Sequence, residues 1–218
     1  MKLLLTSSGF TNKTIINAFK ELVEKPFHEI SLAFIPTASN VEEGDKAWLV
    51  DDMNNAKELG FKSFDIVDIS ALEKDMWEPR LEQADVIMVG GGNTYHLIYW
   101  MNKSGFSNEI KEWLKTKVYV GISAGSIVMS ENLSLTTANK LYYEDSDKID
   151  IENGLGFVHF HTRPHLNSNW FPLVREEVLK KQAKDIPETI YAIDDDSAVQ
   201  VIDENITVIS EGKWLKLN

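Results

Sequence analysis

A serine between two glycines is the first feature of this sequence that could carry out chemistry. Residues 121–125 read G-I-S-A-G, which is the spacing of a nucleophile elbow. The segment follows an apolar run at 118–120 and precedes a helix-like run at 126–129, so it lies in the strand–turn–helix context that an elbow requires. Ser123 Oγ would stand exposed at the turn, and the Ala124 amide could stabilise an oxyanion. The pattern predicts a serine nucleophile, with an ordinary glycine–serine turn as the alternative.

A glycine-rich loop precedes the elbow by about thirty residues, at 90–94 with the sequence G-G-G-N-T. Three consecutive glycines cost conformational entropy, which indicates positive φ or close backbone approach. The loop matches neither the dinucleotide fingerprint nor the Walker pattern, which argues against phosphate binding. Because the two loops end neighbouring predicted strands, we expect Gly91 and Gly92 to complete the oxyanion hole begun by Ala124. Asn93 is expected to contact the substrate.

A serine hydroxyl needs a general base at neutral pH. The chain has five histidines from which that base must come: His28, His96, His159, His161 and His165. We interpret His28 as a surface residue, His96 as a candidate for the pocket wall, and the alternating His159 and His161 as structural. The spacing of the last three histidines also has the character of a metal site, although the chain has no H-E-x-x-H motif.

Three consecutive aspartates at 194–196 follow a predicted strand at its carboxyl end. Adjacent carboxylates repel one another, so a cation such as a histidinium should compensate at least one of them. The residues alone do not select which of Asp194, Asp195 and Asp196 would orient a histidine. A solvated turn is the alternative.

The elements that must position these residues follow from the hydrophobic pattern. Apolar runs alternate with amphipathic segments through the first 130 residues, which predicts a doubly wound, mostly parallel sheet with helices on both faces. Close-spaced strands near the end predict an antiparallel extension. The predicted strands are 3–6, 32–35, 64–69, 86–89, 118–122, 133–137, 156–160, 191–193, 198–202 and 206–210, and the predicted helices are 12–24, 42–59, 77–83, 95–115 and 171–183. We expect one α/β domain over residues 1–218.

Composition excludes several classes of function. The 218 residues carry a net charge of -12, and a field of that sign repels nucleic-acid backbones and anionic membranes. The chain has no cysteine, which excludes disulfides, iron–sulfur clusters and thiol nucleophiles. The apolar run at 3–5 is too short for a secretory signal or a membrane span. We therefore expect a cytoplasmic protein, monomeric or homodimeric, without nucleic-acid or membrane partners.

Taken together, the glycine loop, the elbow and the Pro-His pair at 164–165 resemble the S51 serine peptidases. That family contains aspartyl dipeptidase (peptidase E) and cyanophycinase, and its fold is similar to that of class I glutamine amidotransferases. The resemblance implies Ser123 as nucleophile, His165 as general base and Asp195 as the triad acid. It also implies a short peptide substrate and no cofactor or metal.

The resemblance extends to the arginines, of which the chain has only three. Arginine suits bidentate recognition of carboxylates. Arg175 resembles the arginine of peptidase E that holds the substrate's aspartate side chain, and Arg163, close to His165, is the second candidate. Two features depart from the family pattern: Arg163 stands where asparagine is usual, and the acid expected after the Thr-Thr pair at 136–137 has no match.

We predict a serine peptidase that cleaves short peptides, among them α-aspartyl dipeptides, through an acyl-enzyme. Three alternatives stay open. An α/β-hydrolase esterase would share the elbow, but its histidine usually comes late, and no histidine follows residue 165. A non-catalytic amidotransferase-like binding module would keep the fold without a working triad. A metal-dependent hydrolase would use the histidine cluster.

Overall fold

The computed structural model describes residues 1–133, 141–142 and 153–218. Its strands are β1 (Lys2–Thr6), β2 (Ser31–Ile35), β3 (Ser63–Ile66), β4 (Val86–Val89), β5 (Val118–Ile122), β6 (Phe160–Arg163), β7 (Thr189–Ile193), β8 (Ser197–Ile202), β9 (Asn205–Ser210) and β10 (Trp214–Leu217). Its helices are α1 (Lys13–Val23), α2 (Ala47–Lys57), α3 (Lys74–Gln83), α4 (Thr94–Lys103), α5 (Phe106–Trp113), α6 (Ala124–Ile127) and α7 (Glu176–Gln182). None of the helices in these ranges has both the length and the apolar composition that a membrane crossing requires.

Seven strands form the main sheet in the order β3-β2-β4-β5-β1-β8-β9. The five strands from β1 to β5 pair in parallel, whereas β8 and β9 add to the edge of β1 in antiparallel fashion. The predicted fold class is confirmed: a mostly parallel sheet carries an antiparallel extension. The strands predicted at 86–89 and 118–122 have the predicted bounds, because each is a fully buried apolar run that ends at a turn.

The last third of the chain corrects one part of the topology. β7 does not join the main sheet; it pairs in parallel with β6 and antiparallel with β10 in a separate three-stranded sheet. β10 was not predicted, and its W-L-K-L sequence alternates between exposed and half-buried positions. The strand predicted at 156–160 begins only at Phe160, and all but Leu133 of the strand predicted at 133–137 lies outside the described residues.

The helical corrections have local causes. The single helix predicted at 95–115 is two helices, α4 and α5, because Gly105 between them adopts a φ of 87° that ends the helical run. The helix predicted at 171–183 begins only at Glu176, and the residues before it form a loop. Helix α2 starts at Ala47 rather than near 42, after a 3₁₀ turn at Thr37–Val41.

Two apolar layers cover the two faces of the main sheet. Alternate residues of β1 point to opposite layers: Leu4 belongs to one, and Leu3 and Leu5 to the other. Helix α1 packs on the first face through Ile15 and Phe19, together with α2, and α3 to α5 pack on the second. Because helices cover both faces, the carboxyl ends of the parallel strands at the sheet edge remain as the place where side chains can converge on a ligand.

Candidate active site

Ser123 lies in a sharp turn between β5 and α6. Its backbone adopts φ 48° and ψ -108°, a conformation that is costly for a non-glycine residue and is found where structure imposes it. The glycines on either side have no room for a side chain: a Cβ at Gly121 would lie 2.6 Å from the carbonyl oxygen of Gly125, and one at Gly125 would collide with the Val89 carbonyl. The segment therefore has the geometry of a nucleophile elbow.

The structure brings Ser123, His165 and Asp195 together, although they are far apart in sequence. His165 Nε2 lies 2.9 Å from Ser123 Oγ, and His165 Nδ1 lies 2.7 Å from Asp195 Oδ1. His165 follows β6 with a φ of 65°, and Asp195 lies in the turn between β7 and β8. A hydroxyl, an imidazole and a carboxylate in this order can remove the serine proton and stabilise the resulting imidazolium.

Two serines at the end of β1 complete the surroundings of the acid, and the sequence analysis missed them. Ser7 Oγ and Ser8 Oγ donate to Asp195 Oδ1 at 2.7 and 2.9 Å, and Ser7 Oγ accepts from the His165 amide at 2.8 Å. Burial alone would raise the pKa of Asp195, but the hydrogen bonds from His165, Ser7 and Ser8 and the His165 charge outweigh it and lower the pKa to about 2. The signal available in the sequence was the T-S-S-G segment that ends a central strand at its carboxyl edge.

A second carboxyl, that of Asp52 on α2, lies close to the same turn. Asp52 is 9% exposed, and its Oδ1 lies 3.7 Å from where a Cβ on Gly9 would be. Burial raises its pKa to about 7, with smaller contributions from the charges of Asp51 and Asp195. Among the described residues, none donates a hydrogen bond that would offset this burial. The site therefore contains one acid that is stabilised as a carboxylate and one that is not.

The glycine loop lies beside the elbow, as the strand order requires. β4 and β5 are neighbours, and a Cβ on Gly91 would lie 3.2 Å from Ser123 Cβ. Gly92 adopts a φ of 122° and packs against the Ala38 carbonyl with no space for a Cβ. In the part of the chain that the structure describes, the amides of Gly91, Gly92 and Ala124 donate to no other group. They are therefore available to an oxyanion.

Asn93 and His96 lie at the start of α4, next to this loop. Asn93 Oδ1 accepts from the His96 amide at 2.9 Å and so caps the helix. That bond explains the asparagine without a substrate, and the predicted substrate contact stays a prediction. His96 is partly buried and burial lowers its pKa, which favours the neutral imidazole. No described residue bonds its buried Nε2.

The two candidate substrate arginines are both at least partly buried, and their contacts with a substrate stay predictions. Arg163 is only 1% exposed, with Nη1 3.4 Å from the Thr162 carbonyl oxygen, so it has almost no surface to offer a substrate. Arg175 is half-buried. Its guanidinium donates to the carbonyl oxygens of Ser168, Phe171 and Val174, at 2.9, 3.1 and 3.0 Å.

The remaining histidines have separate partners. His28 is exposed beside Glu29. His159 is exposed and lies 3.1 Å from Glu131, whereas His161 is buried with Nε2 3.4 Å from Glu188. Burial, together with the Arg163 charge, lowers the pKa of His161 against the raising effect of Glu188. Across the described residues, no three His, Asp or Glu side chains are grouped as a metal site requires. The pair at 136–137 and the residues after it lie outside the described residues.

Relatives of this chain were found by comparison with known proteins. The model of peptidase family S51 matches residues 3–209. "Uncharacterized peptidase Lin0382" from Listeria innocua is 30% identical over 220 residues, covering 98% of this chain and 99% of that protein. "Peptidase E" from Shewanella oneidensis is 35% identical over 105 residues, covering 47% of this chain and 42% of that protein.

A solved structure has the same fold. The crystal structure named "Putative Peptidase E Protein" from Listeria monocytogenes superposes with a TM-score of 0.80 at 26% identity, covering 97% of this chain and 98% of that one. The family match spans nearly the whole main sheet and includes both loops at Ser123. The chain therefore belongs to peptidase family S51, the serine peptidase family that its motifs resemble.

Proposed function

We propose that this peptidase cleaves short peptides with Ser123 as nucleophile, His165 as general base and Asp195 as the acid that orients the base. The observation that carries the proposal is the hydrogen-bonded path from Ser123 Oγ through the imidazole to Asp195 Oδ1, with steps of 2.9 and 2.7 Å. The positive φ of Ser123 supports it, because backbone strain at a reactive side chain is typical of nucleophile elbows.

In the proposed reaction, Ser123 Oγ attacks the scissile carbonyl carbon while His165 Nε2 takes the hydroxyl proton. The carbonyl oxygen becomes an oxyanion that the amides of Gly91, Gly92 and Ala124 stabilise. His165 then gives its proton to the leaving amine, the C–N bond breaks, and an acyl ester on Ser123 remains. Water attacks this ester with His165 again as base, which releases the acid and regenerates the serine.

The proposed substrates are short peptides, and aspartate at the first position is the side chain to test first. Support comes from the relatives named peptidase E and from the motifs that resemble aspartyl dipeptidase. The resemblance offers Arg175 as the cation for that side chain, but its guanidinium already bonds three carbonyl oxygens. Preference for aspartate is therefore a separate question from peptidase activity. A cytoplasmic location and a monomeric or homodimeric state stay predictions from the sequence.

The test combines a fluorophosphonate probe with turnover of a dipeptide library. Ser123→Ala should abolish probe labelling and lower turnover on the order of 10⁴- to 10⁶-fold. The control is Ser126→Ala in the same segment. The Ser126 hydroxyl is buried, donates to the Thr6 carbonyl at 2.7 Å and should not react with the probe, so this variant should be labelled like the wild type. Labelling that survives in Ser123→Ala would remove Ser123 as the nucleophile.

The same assay, extended with ester substrates and with EDTA, separates the alternative functions. Turnover of esters without any turnover of peptides would favour an esterase. Loss of turnover with EDTA and recovery with zinc would favour a metal-dependent hydrolase. A wild-type protein that neither reacts with the probe nor turns over any substrate would favour a binding module.

A further inference from the structure

The segment from His165 to Arg175 is a folded loop that connects β6 to α7. Two backbone hydrogen bonds hold the loop together: the Ser168 amide donates to the His165 carbonyl at 3.0 Å, and the Asn167 amide donates to the Val174 carbonyl at 2.9 Å. The general base stands at one end of this loop, and an arginine stands at the other.

Arg175 holds the interior of the loop. One guanidinium donates three hydrogen bonds to loop carbonyls, those of Ser168, Phe171 and Val174. A planar group with five N–H donors can bond several acceptors at fixed angles, which a lysine ammonium cannot reproduce. Among the described residues, the hydrogen bonds of this guanidinium all go to carbonyl oxygens and none goes to a carboxylate. Its hydrogen-bonding capacity is directed to the loop.

Phe171 connects this loop to the general base through a ring contact. Its ring stacks on the His165 imidazole, with centroids 4.7 Å apart and an interplanar angle of 23°. The Tyr142 and Phe171 rings pack in a T-shaped arrangement with centroids 5.5 Å apart, and the Tyr142 hydroxyl donates to the Pro164 carbonyl at 3.0 Å. The stacked ring limits rotation of the imidazole, so that Nε2 stays toward Ser123 and Nδ1 stays toward Asp195.

We propose that Arg175 is a positioning residue for the general base: it fixes the 168–174 loop so that Phe171 covers the His165 imidazole. The proposal rests on the proposed function in taking His165 as the base. It differs from the role in which Arg175 binds an acidic substrate side chain. A positioning residue affects kcat for every substrate, whereas a substrate ligand affects KM for acidic substrates only.

The kinetic test uses Arg175→Lys and Phe171→Leu with peptides that start with aspartate and with alanine. Both variants should lower kcat roughly 10- to 100-fold for both peptides, with KM changed less than about threefold, because small displacements of a catalytic group cost rate. The double variant should lose little more than either single one. Phe171→Tyr, which keeps the stacked ring, should recover most of the rate that Phe171→Leu loses.

The control for the chemical change is Arg80→Lys, which alters an arginine paired with Asp65 instead of the loop. Its kcat should stay within about threefold of wild type. If Arg175→Lys raises KM for the aspartyl peptide alone and leaves kcat unchanged, Arg175 is a substrate ligand and the proposal is wrong. Unchanged kinetics for both peptides would also overturn it.

An NMR readout tests the geometry without any peptidase activity. The ring current of Phe171 should shift the His165 ring protons upfield, and Arg175→Lys or Phe171→Leu should move these signals toward their ordinary positions. His165→Gln assigns the signals. If the shifts are present in wild type and unaffected by Arg175→Lys, Arg175 does not position the base. Failure of fluorophosphonate labelling with this NMR result intact would count against the proposed function alone.

Discussion

Two carboxyl groups at the same edge of the main sheet have opposite surroundings. Asp195 receives hydrogen bonds from His165, Ser7 and Ser8, and its pKa falls to about 2. Asp52 is more deeply buried, receives no such bond from the described residues, and has a pKa raised to about 7. The comparison shows that the hydrogen-bond donors around a carboxyl group, rather than its location near the site, decide whether it is charged at neutral pH. Only Asp195 is a stable carboxylate for an imidazolium.

The largest expected effect is that of Asp195→Asn, which replaces the charged carboxylate with a neutral amide. We expect kcat to fall by roughly 10⁴-fold, because an asparagine neither holds the required tautomer nor stabilises the imidazolium. Steady-state turnover measures this loss. Asp196→Asn is the matched control, since Asp196 is the exposed neighbour in the same run of three. Comparable losses in the two variants would mean that Asp195 is not the specific partner of His165.

The next effect is that of Ser7→Ala, which removes a donor from Asp195 and the acceptor for the His165 amide. We expect kcat to fall roughly 10-fold, and we expect the Asp195 pKa to rise, because a hydrogen bond to the charged form is lost. Steady-state turnover measures kcat, and carboxyl ¹³C NMR titration measures the Asp195 pKa. Ser8→Ala removes only the single hydrogen bond from Ser8 Oγ to Asp195 Oδ1 and should have the smaller effect. An Asp195 pKa that does not move in Ser7→Ala would show that the serines do not set its charge.

Asp52→Asn should change stability rather than catalysis. The folded pKa of about 7 lies above the ordinary aspartate pKa of 3.8, so the folded state binds the proton more tightly than the unfolded state. Its contribution to stability is therefore fully present below about pH 4 and is lost as the pH rises through about 7. Across this window the loss amounts to roughly 4 kcal/mol, at about 1.4 kcal/mol per pKa unit.

Urea denaturation at two pH values measures this effect. At pH 8, Asp52→Asn should raise the free energy of unfolding by roughly 2–4 kcal/mol, and at pH 4 it should change it little. Asp51→Asn, on the exposed neighbour, is the control and should show a much smaller pH dependence. A gain at pH 8 no larger than at pH 4 would mean that Asp52 is not held protonated by its surroundings.

The predictable features of this protein are those with short-range causes. Val86–Val89 and Val118–Ile122 are buried apolar runs that are each followed by a glycine-containing turn, so their bounds follow from burial on both faces. The division into two helices at Gly105 has an equally local cause, but the apolar stripe continues through this position and predicts one continuous helix. The elbow at 121–125 needs only its own residues and its flanking elements to be identified.

The sequence by itself determined the parallel sheet, the elbow and the glycine loop. The spacing of apolar residues and the need for glycine in a tight turn are both set by a few neighbouring residues. Tertiary structure alone decided which groups meet at the site. Ser7 reaches Asp195 across 188 positions and His165 across 158, and nothing near Ser7 in the sequence specifies either contact. It also decided that β7 joins β6 and β10, and that Arg175 bonds its own loop. Hydrogen bonds and burial between distant segments depend on how the layers pack, and a pattern of neighbouring residues does not contain that information.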